Sequence, residues 1–198
     1  MKALALLGGL TLVAGCGGGS GGTCANAPAC DGDVVGTWAV TSSCVNAFGP
    51  ATGPCPGETA TVSRVTVSGT LELRDDLTYT VTMTEASEGR LDVPVSCLAL
   101  QALTCTSYEA SLRGSQEFRS ARCGSAGSTC SCSVVALQDL GSTGTYATAS
   151  PGRLTLQTPT TIEHDDFCAS GSTLTLSPHG GTFLMSGITS GTLTLARQ

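Results

Sequence analysis

The side chains in this sequence that could do chemistry are mostly cysteines in its second half. Four cysteines and one histidine have the Cys-x-Cys and His-x3-Cys spacings that can hold a zinc ion: Cys123, Cys130, Cys132, Cys168 and His164. The alternative is that the same sulfurs are oxidised to disulfides, as happens in exported proteins. We expect disulfides and no metal site, because the N-terminal residues have the charge and hydropathy of an export segment.

The run His164-Asp165-Asp166 and the second histidine, His179, are the candidates for acid–base chemistry. His179 lies in Ser-Pro-His-Gly-Gly, a turn sequence, and solvated loop or strand ends explain both histidines without a reactive site. Residues 18–22 match the Gly-x-Ser-x-Gly nucleophile elbow, which needs a strand before it and a helix after it, and a glycine run supplies neither. We therefore predict that the chain is not an enzyme and needs no cofactor.

Residues 1–15 are typical of a short export signal. Lys2 supplies a positive charge, and Ala3–Val13 is apolar but too short to span a bilayer. The sequence Leu-Val-Ala-Gly-Cys that ends at Cys16 resembles the lipobox of bacterial lipoproteins. The resemblance implies that residues 1–15 are removed and that Cys16 becomes an N-terminus carrying palmitate-type acyl chains. The alternative is an ordinary secretory signal that happens to include a cysteine.

The lipobox resemblance implies that the protein is lipid-anchored in the bacterial cell envelope. Gly17, rather than an acidic residue, follows the lipidated position, which in known lipoproteins favours the outer membrane. The formal net charge is -6 and the only lysine is Lys2, so the mature surface is acidic. An acidic surface argues against nucleic acid as a partner and against electrostatic docking on anionic lipid. We expect membrane contact through the N-terminal lipid, and the sequence names no protein partner.

The eleven cysteines are the strongest signal in the composition. With Cys16 set aside, an even number remains, which in an exported chain predicts disulfides throughout. The pairs closest in sequence are the first candidates: Cys24–Cys30, Cys44–Cys55 and Cys97–Cys105. For the others, we expect Cys123 to pair with one member of the Cys130/Cys132 motif and Cys168 to pair with the other.

The composition divides the chain into a tether and one folded domain. Residues 16–32 begin with the lipidated cysteine and a Gly/Ser-rich run, which predicts a flexible tether. Residues 33–198 consist of short runs rich in Thr, Val and Leu. In four of them a glycine precedes Leu-x-Leu: Gly69, Gly152, Gly171 and Gly191. The alternating leucines predict antiparallel strands with one dry face, and about 8–10 such strands favour closure into a barrel.

Three local features interrupt the strand pattern. Residues 98–113 predict one short helix, with a capping box that starts at Thr106 and Gly114 just after its last residue. The hydrophobic alternation slips at Gly69, which predicts a β-bulge there. Glu85 and Glu88 are assigned to a loop, and we do not expect them to form a paired-carboxylate site.

Gly36-Thr37-Trp38, at the start of the first predicted strand, resembles the Gly-x-Trp signature of the lipocalins. In that family the indole closes the floor of the barrel and an arginine near the chain end packs over it. Arg197 stands at that position here, although the family's middle Thr-Asp-Tyr signature is absent. The resemblance implies an all-β, antiparallel, lipocalin-like (calycin-type) barrel, stabilised by disulfides, in which Trp38 and Arg197 stack.

Two functions agree with these expectations. The first is an envelope lipoprotein whose lipocalin-like barrel binds a small apolar ligand. The alternative is a disulfide-rich structural or interaction module of the envelope, with a filled barrel and no ligand. A barrel pocket of several hundred Å³ lined by apolar groups would favour the first.

Overall fold

The computed structural model of the chain describes residues 24–46, 51–53, 55–179, 188 and 190–198. The predicted signal peptide (1–15), Cys16 and the strand expected at 182–186 lie outside the described residues. The elements follow in the order β1 (Gly36–Val45), β2 (Ala51–Thr52), β3 (Thr59–Leu73), β4 (Thr78–Pro94), α1 (Val95–Leu100), α2 (Cys105–Gly114), β5 (Phe118–Ala126), β6 (Thr129–Asp139), β7 (Ser142–Ala149), β8 (Arg153–Gln157), β9 (Ile162–Ser170), β10 (Thr173–Pro178) and β11 (Gly191–Arg197). Neither helix is long and apolar enough to cross a membrane.

Eight of the described strands close into an antiparallel barrel, which confirms the all-β barrel predicted from the sequence. Around the wall the order is β3, β1, β11, β10, β9, β8, β7 and β4, and β4 pairs again with β3. Strands that are neighbours in the wall follow one another along the chain, apart from short β2 and an insertion between β4 and β7. This up-and-down arrangement is the one that lipocalins have. The first and last strands, β1 and β11, lie side by side and complete the wall.

The two ends of the barrel differ. We call the end where β1 begins at Gly36 and β11 ends at Arg197 the floor, and the opposite end the mouth. Strands β3 and β4 continue past the mouth, where β4 pairs with β6 and β6 pairs with β5. We call this second sheet, with α1 and α2, the extension (residues 84–139). The long β3–β4 hairpin is therefore part of both the barrel and the extension, and it connects them.

The barrel and the extension have separate hydrophobic cores. The barrel core consists of Val34, Trp38, Val65, Val67, Leu71, Leu73, Tyr79, Val81, Met83, Leu140, Tyr146, Leu154, Leu156, Phe167, Leu174, Leu176, Ile188, Leu193 and Leu195. The extension core consists of Val93, Cys97, Leu98, Leu112, Ala121, Cys130, Cys132 and Val134. The extension can bury only a small apolar core, and cross-links compensate for such a core.

The Leu-x-Leu runs form the barrel wall as the alternation predicts. On β10 and β11 the leucines are fully buried: Leu174, Leu176, Leu193 and Leu195. The threonines between them, Thr175 and Thr194, are only half-buried on the outer face. Each buried leucine stabilises the fold by roughly 1.5–3 kcal/mol relative to an exposed one.

The predicted β-bulge at Gly69 is wrong. The pairing of β3 with β4 is continuous there, with Gly69 opposite Met83, and the register shifts between Val62 and Arg64 instead. Gly69 has a φ of 119°, and a Cβ at this position would collide with the carbonyl oxygen of Thr82. The glycine is therefore needed for its positive φ and for the close approach of β4, not for an extra residue.

The predicted helical segment is present, with α2 as its longer part. Its N-cap is Thr104 rather than Thr106: the Thr104 hydroxyl accepts a hydrogen bond from the Ser107 amide (3.2 Å). The Thr104 amide in turn donates to the Ser107 hydroxyl (2.8 Å), so a serine completes the capping box in place of a glutamate. Gly114 is the last residue of α2 rather than the residue after it.

Every cysteine from Cys24 onward is paired, but most partners differ from the predicted ones. The disulfides are Cys24–Cys44, Cys30–Cys168, Cys55–Cys97, Cys105–Cys130 and Cys123–Cys132. Only the expectation for Cys123, paired with one member of the Cys-x-Cys motif, is met. The predicted Cys24–Cys30, Cys44–Cys55 and Cys97–Cys105 bonds are wrong, as is the bond expected from Cys168 to that motif. Proximity in sequence fails here because strand pairing brings distant cysteines together.

Residues 24–32 belong to the folded domain, although the composition assigned them to the tether. We call them the brace. The amide of Cys30 donates to the carbonyl of Phe167 (3.0 Å), and the amide of Ala27 donates to the hydroxyl of Ser177 (2.8 Å). Ser177 alternates with the inward-facing leucines of β10, so the brace lies on the outer face of the wall. Residues 16–23 of the predicted tether lie outside the described residues.

Candidate ligand site in the barrel interior

Trp38 and Arg197 close the floor of the barrel. Trp38 is fully buried, and the guanidinium carbon of Arg197 lies 4.4 Å from the centroid of its rings, so the predicted contact is present. The indole Nε1 donates to the carbonyl oxygen of Val34 (2.8 Å), which satisfies its only polar atom. A cation over an indole is worth roughly 0.5–2 kcal/mol in addition to the apolar area that the ring buries.

The residues just before β1 hold the Arg197 guanidinium in place. Its Nη1 donates to the carbonyl of Val35 (2.8 Å) and its Nη2 to the carbonyl of Asp33 (3.1 Å). Gly36 has a φ of 144°, and a Cβ there would lie 3.2 Å from Nη1 of Arg197. Two physical requirements therefore explain the glycine of the Gly-x-Trp sequence: its positive φ and the space that the arginine needs.

Above the floor the barrel interior is mainly aliphatic, with two tyrosines. The hydroxyl of Tyr146 donates to the carbonyl of Arg74 (2.7 Å), near the floor. Burial raises the pKa of Tyr79, and the negative charge of Glu163 raises it further, whereas a hydrogen bond with Ser142 lowers it. An interior of this kind suits a ligand that is largely apolar.

Asp165 is the exception in this interior. It is fully buried on β9, and neither of its carboxylate oxygens has a hydrogen-bond partner among the residues that the structure describes. Leu154 on β8 and Pro178 on β10 lie directly opposite it, and neither side chain has a hydrogen-bond donor. Desolvation raises the pKa of the Asp165 carboxyl well above its ordinary range, and the negative charges of Glu163 and Asp166 raise it further.

Successive side chains of β9 point to opposite faces of the sheet, so the residues of the His164-Asp165-Asp166 run do not all lie on one face. His164 and Asp166 lie on the outer face, where a ring nitrogen of His164 is 3.0 Å from the hydroxyl of Thr155. Asp166 pairs with Arg153 (3.2 Å) and with His179 (3.0 Å). Asp165 alone faces inward, so the run does not form one acid–base group.

Glu85 is a second inward-facing carboxylate, and its assignment to a loop is wrong. It lies within β4 at the junction of barrel and extension, and it is buried. Its Oε1 accepts a hydrogen bond from the hydroxyl of Ser87 (2.7 Å), whereas its Oε2 has no partner in the described part of the chain. Glu85 and Asp165 thus supply all the buried, unpartnered side-chain oxygens found there.

The zinc alternative does not fit the sulfur chemistry of the chain. The sulfurs of Cys123, Cys130 and Cys132 lie within 4.8 Å of one another, as a metal site would require. Cys123 is bonded to Cys132 and Cys130 to Cys105, so each of the three sulfurs is already part of a disulfide. A disulfide sulfur is not a thiolate, and the thiolate is the form that binds zinc.

A groove of about 320 Å³ is also present on the exposed side of the extension sheet. Serine hydroxyls, one acid and one arginine account for most of its lining: Ser63, Ser120, Ser133, Glu88 and Arg122. Glu88 lies 3.8 Å from Arg64, and both side chains are at least half exposed, so their ion pair adds little stability. The groove is open and mixes polar side chains with Val134 and Val135, unlike the mainly aliphatic barrel interior.

Sequence reasoning placed Asp165 in a reactive run but missed its burial. The signal was present in residues 160–168, which the sequence predicts as one of the barrel strands and in which Phe167 must face the core. Residues two apart share one face of a strand, so Asp165 and Glu163 fall on the same side as Phe167. A carboxylate at a core position of a predicted strand is the pattern that could have identified it.

Comparison of the chain with protein-family models, with curated proteins and with solved structures finds no match. The candidate site is therefore defined by the residues of this chain. It is an apolar interior closed at the floor by Trp38, with one carboxylate within it and a second near its mouth.

Proposed function

We propose that the protein is a lipid-anchored lipoprotein of the bacterial cell envelope whose barrel binds a small, largely apolar molecule. The observation that supports ligand binding is the set of unpartnered oxygens on Asp165 and Glu85 in an otherwise apolar interior. A buried polar group without a partner costs about 1–3 kcal/mol, and folded proteins leave few of them. A ligand that donates hydrogen bonds inside the barrel would remove this cost.

The lipid anchor is supported by sequence. The residues that end at Cys16 have the apolar, small, small, cysteine order of a lipobox, and a Gly/Ser-rich segment follows. Acyl chains bind a bilayer by about 0.8 kcal/mol per buried CH₂, so more than one chain on Cys16 gives stable anchoring. The dense disulfides agree with folding in an oxidising compartment.

The second candidate function is an interaction module, and the extension is the observation that favours it. The extension has its own core, and three disulfides lie in or border it. Rigid, exposed elements of this kind present surfaces to other proteins, and the groove beside Arg122 is one such surface. In this function the barrel serves only as a support.

Extraction of the natively purified protein separates the two functions. We expect native mass spectrometry to show a non-protein mass bound at about one per chain, which organic solvent releases for identification. Leu176→Phe, which adds volume to the interior, should reduce the bound fraction. Thr175→Phe adds the same ring on the outer face and should leave it unchanged. If no mass is bound and no apolar probe binds, the filled-barrel module is the better description.

Cys16→Ala tests the anchor. We expect the variant to keep its signal peptide or to leave the membrane fraction, because residue 16 then has no thiol to receive a lipid. The wild-type protein should carry acyl mass on its first mature residue, seen in an N-terminal peptide. Ser20→Ala, in the same tether, should remain lipidated and membrane-bound. Full membrane retention of Cys16→Ala, with no acyl mass on the wild type, would contradict the proposal.

A further inference from the structure

We infer that the barrel ligand is an amphipathic amine, with an apolar body and a protonated nitrogen that binds Asp165. The inference rests on the proposed function, since it names the chemical class of the molecule that the barrel holds. Its starting point is that Asp165 combines complete burial, an inward-facing position and two unpartnered oxygens. A ligand in the barrel would hydrogen-bond to these oxygens. The interior around them offers it few other polar groups.

Within the described part of the chain, no positive charge pairs with Asp165. The only lysine of the chain is Lys2, in the predicted signal peptide. Two basic side chains close to it in the fold, Arg153 and His179, pair with Asp166 on the outer face instead. Asp165 makes no hydrogen bond to any described residue. A cation that pairs with Asp165 would therefore come from a ligand.

An ammonium group fits the two free oxygens better than other polar groups do. It carries a full positive charge and three N–H donors, so it can donate to both carboxylate oxygens at once. A charge-assisted hydrogen bond is about twice as strong as one between neutral groups. A neutral alcohol has one donor and no charge, and an anionic ligand would be repelled by the negative charges already present. The class of ligand thus follows from the charge and donor count of the site.

Two further carboxylates favour a cation at this position. Glu163 lies two residues before Asp165, on the same face of β9, and its charge acts on Asp165. Glu85 lies where the barrel meets the extension, at the mouth. Negative groups along an apolar cleft concentrate cations there, because its low-dielectric walls focus their field. A cationic ligand is therefore attracted at the mouth and held deeper inside.

A set of matched eight-carbon probes tests the inference. Octylamine, octanol and octanoate share one apolar chain and differ in the polar group. Binding is measured at neutral pH by calorimetry and by the fluorescence of Trp38, the only tryptophan of the chain. We expect the wild-type protein to bind octylamine at least about tenfold more tightly than octanol, a difference of about 1.4 kcal/mol, and octanoate most weakly.

Two isosteric variants locate the preference. Asp165→Asn should bind octylamine and octanol within about twofold of each other, because the charge is lost while the shape is kept. Asp166→Asn removes the same charge from the outer face and should keep the wild-type preference. The Asp165→Asn variant is expected to fold, since it replaces an unpaired buried acid with a neutral amide, and its thermal unfolding checks this.

The outcomes distinguish this inference from the proposed function. Equal binding of octylamine and octanol to the wild type would overturn the amine class while leaving a small-molecule barrel in place. An amine preference that survives in Asp165→Asn would overturn the role of Asp165. If none of the three probes binds, both the inference and the ligand-binding part of the proposed function fail. An amine preference that disappears only in Asp165→Asn supports the inference.

Discussion

Trp38→Ala is expected to lower the free energy of unfolding by roughly 3–5 kcal/mol, the usual cost of removing a fully buried tryptophan. The loss is large because the indole fills the floor, where β1 is paired with both β3 and β11. Domains are typically stable by about 5–15 kcal/mol, so the variant should be marginal at 37 °C. Urea unfolding followed by far-UV circular dichroism measures the effect without relying on the lost fluorophore.

Arg197 provides the matched variants for this prediction. Arg197→Ala should cost less than Trp38→Ala, because the arginine side chain is about one-third exposed and water replaces its hydrogen bonds. Arg197→Lys keeps the positive charge but loses the planar fork that spans the carbonyls of Val35 and Asp33, so we expect an intermediate cost. A Trp38→Ala protein as stable as the wild type would mean that the floor does not hold the barrel together.

Removal of the Cys30–Cys168 disulfide, by alanine at both positions, is expected to destabilise the protein by roughly 4–5 kcal/mol. The bond joins residues that are 138 apart in sequence, so its loss frees a long loop in the unfolded chain. It also fixes the brace to β9, next to the amide–carbonyl hydrogen bonds between them. Chemical denaturation of the double variant under non-reducing conditions measures the loss.

The Cys24–Cys44 disulfide is the matched control, because it attaches the other end of the same brace. Its sequence separation is only 20, and the chain-entropy relation gives a smaller effect for it, roughly 3 kcal/mol. We therefore expect the Cys24/Cys44 double alanine variant to be the more stable of the two. The reverse order would show that local packing of the brace, rather than loop length, determines what each bond contributes.

The parts of the fold that sequence could predict are those with a local physical cause. Leu174 and Leu176 alternate with threonines, and a strand with one dry face is the simplest structure that buries them. The contact of Trp38 with Arg197 was implied by the resemblance to lipocalins, and closing a barrel makes the first and last strands neighbours, as that contact requires. The leucine pattern follows from strand geometry alone, whereas the contact depended on the resemblance.

The parts that sequence could not predict depend on contacts between distant segments. The second half of β4 is polar around Glu88 and Arg90 and has no apolar alternation, yet it pairs with β3 on one side and β6 on the other. Cys30 meets Cys168 only because a segment of Ala, Asn and Pro packs along the outside of the barrel. Such packing leaves no periodic pattern in the sequence. Pairing each cysteine with its nearest neighbour in sequence therefore does not predict the disulfides.

The direction of the brace determines how an anchored domain would sit on a membrane. Cys24 is bonded to Cys44, beside the pairing of Val45 with Gly191 at the mouth, and the Asn46 side chain holds its backbone. The chain that leads back to Cys16 therefore leaves the barrel at the mouth. Fully extended, the residues from Cys16 to Cys24 reach at most about 28 Å.

With the lipid on Cys16, as proposed, the mouth would be kept within a few nanometres of the bilayer. A hydrophobic molecule that leaves the barrel then meets lipid before it crosses much bulk water. Tethering would also hold the mouth at a high effective concentration relative to the bilayer. Ligand could then pass repeatedly between barrel and bilayer without diffusion of the protein through solution. If the proposed anchor and ligand site both hold, the membrane would be the nearest reservoir of ligand, and the length of the tether would limit which lipids could supply it.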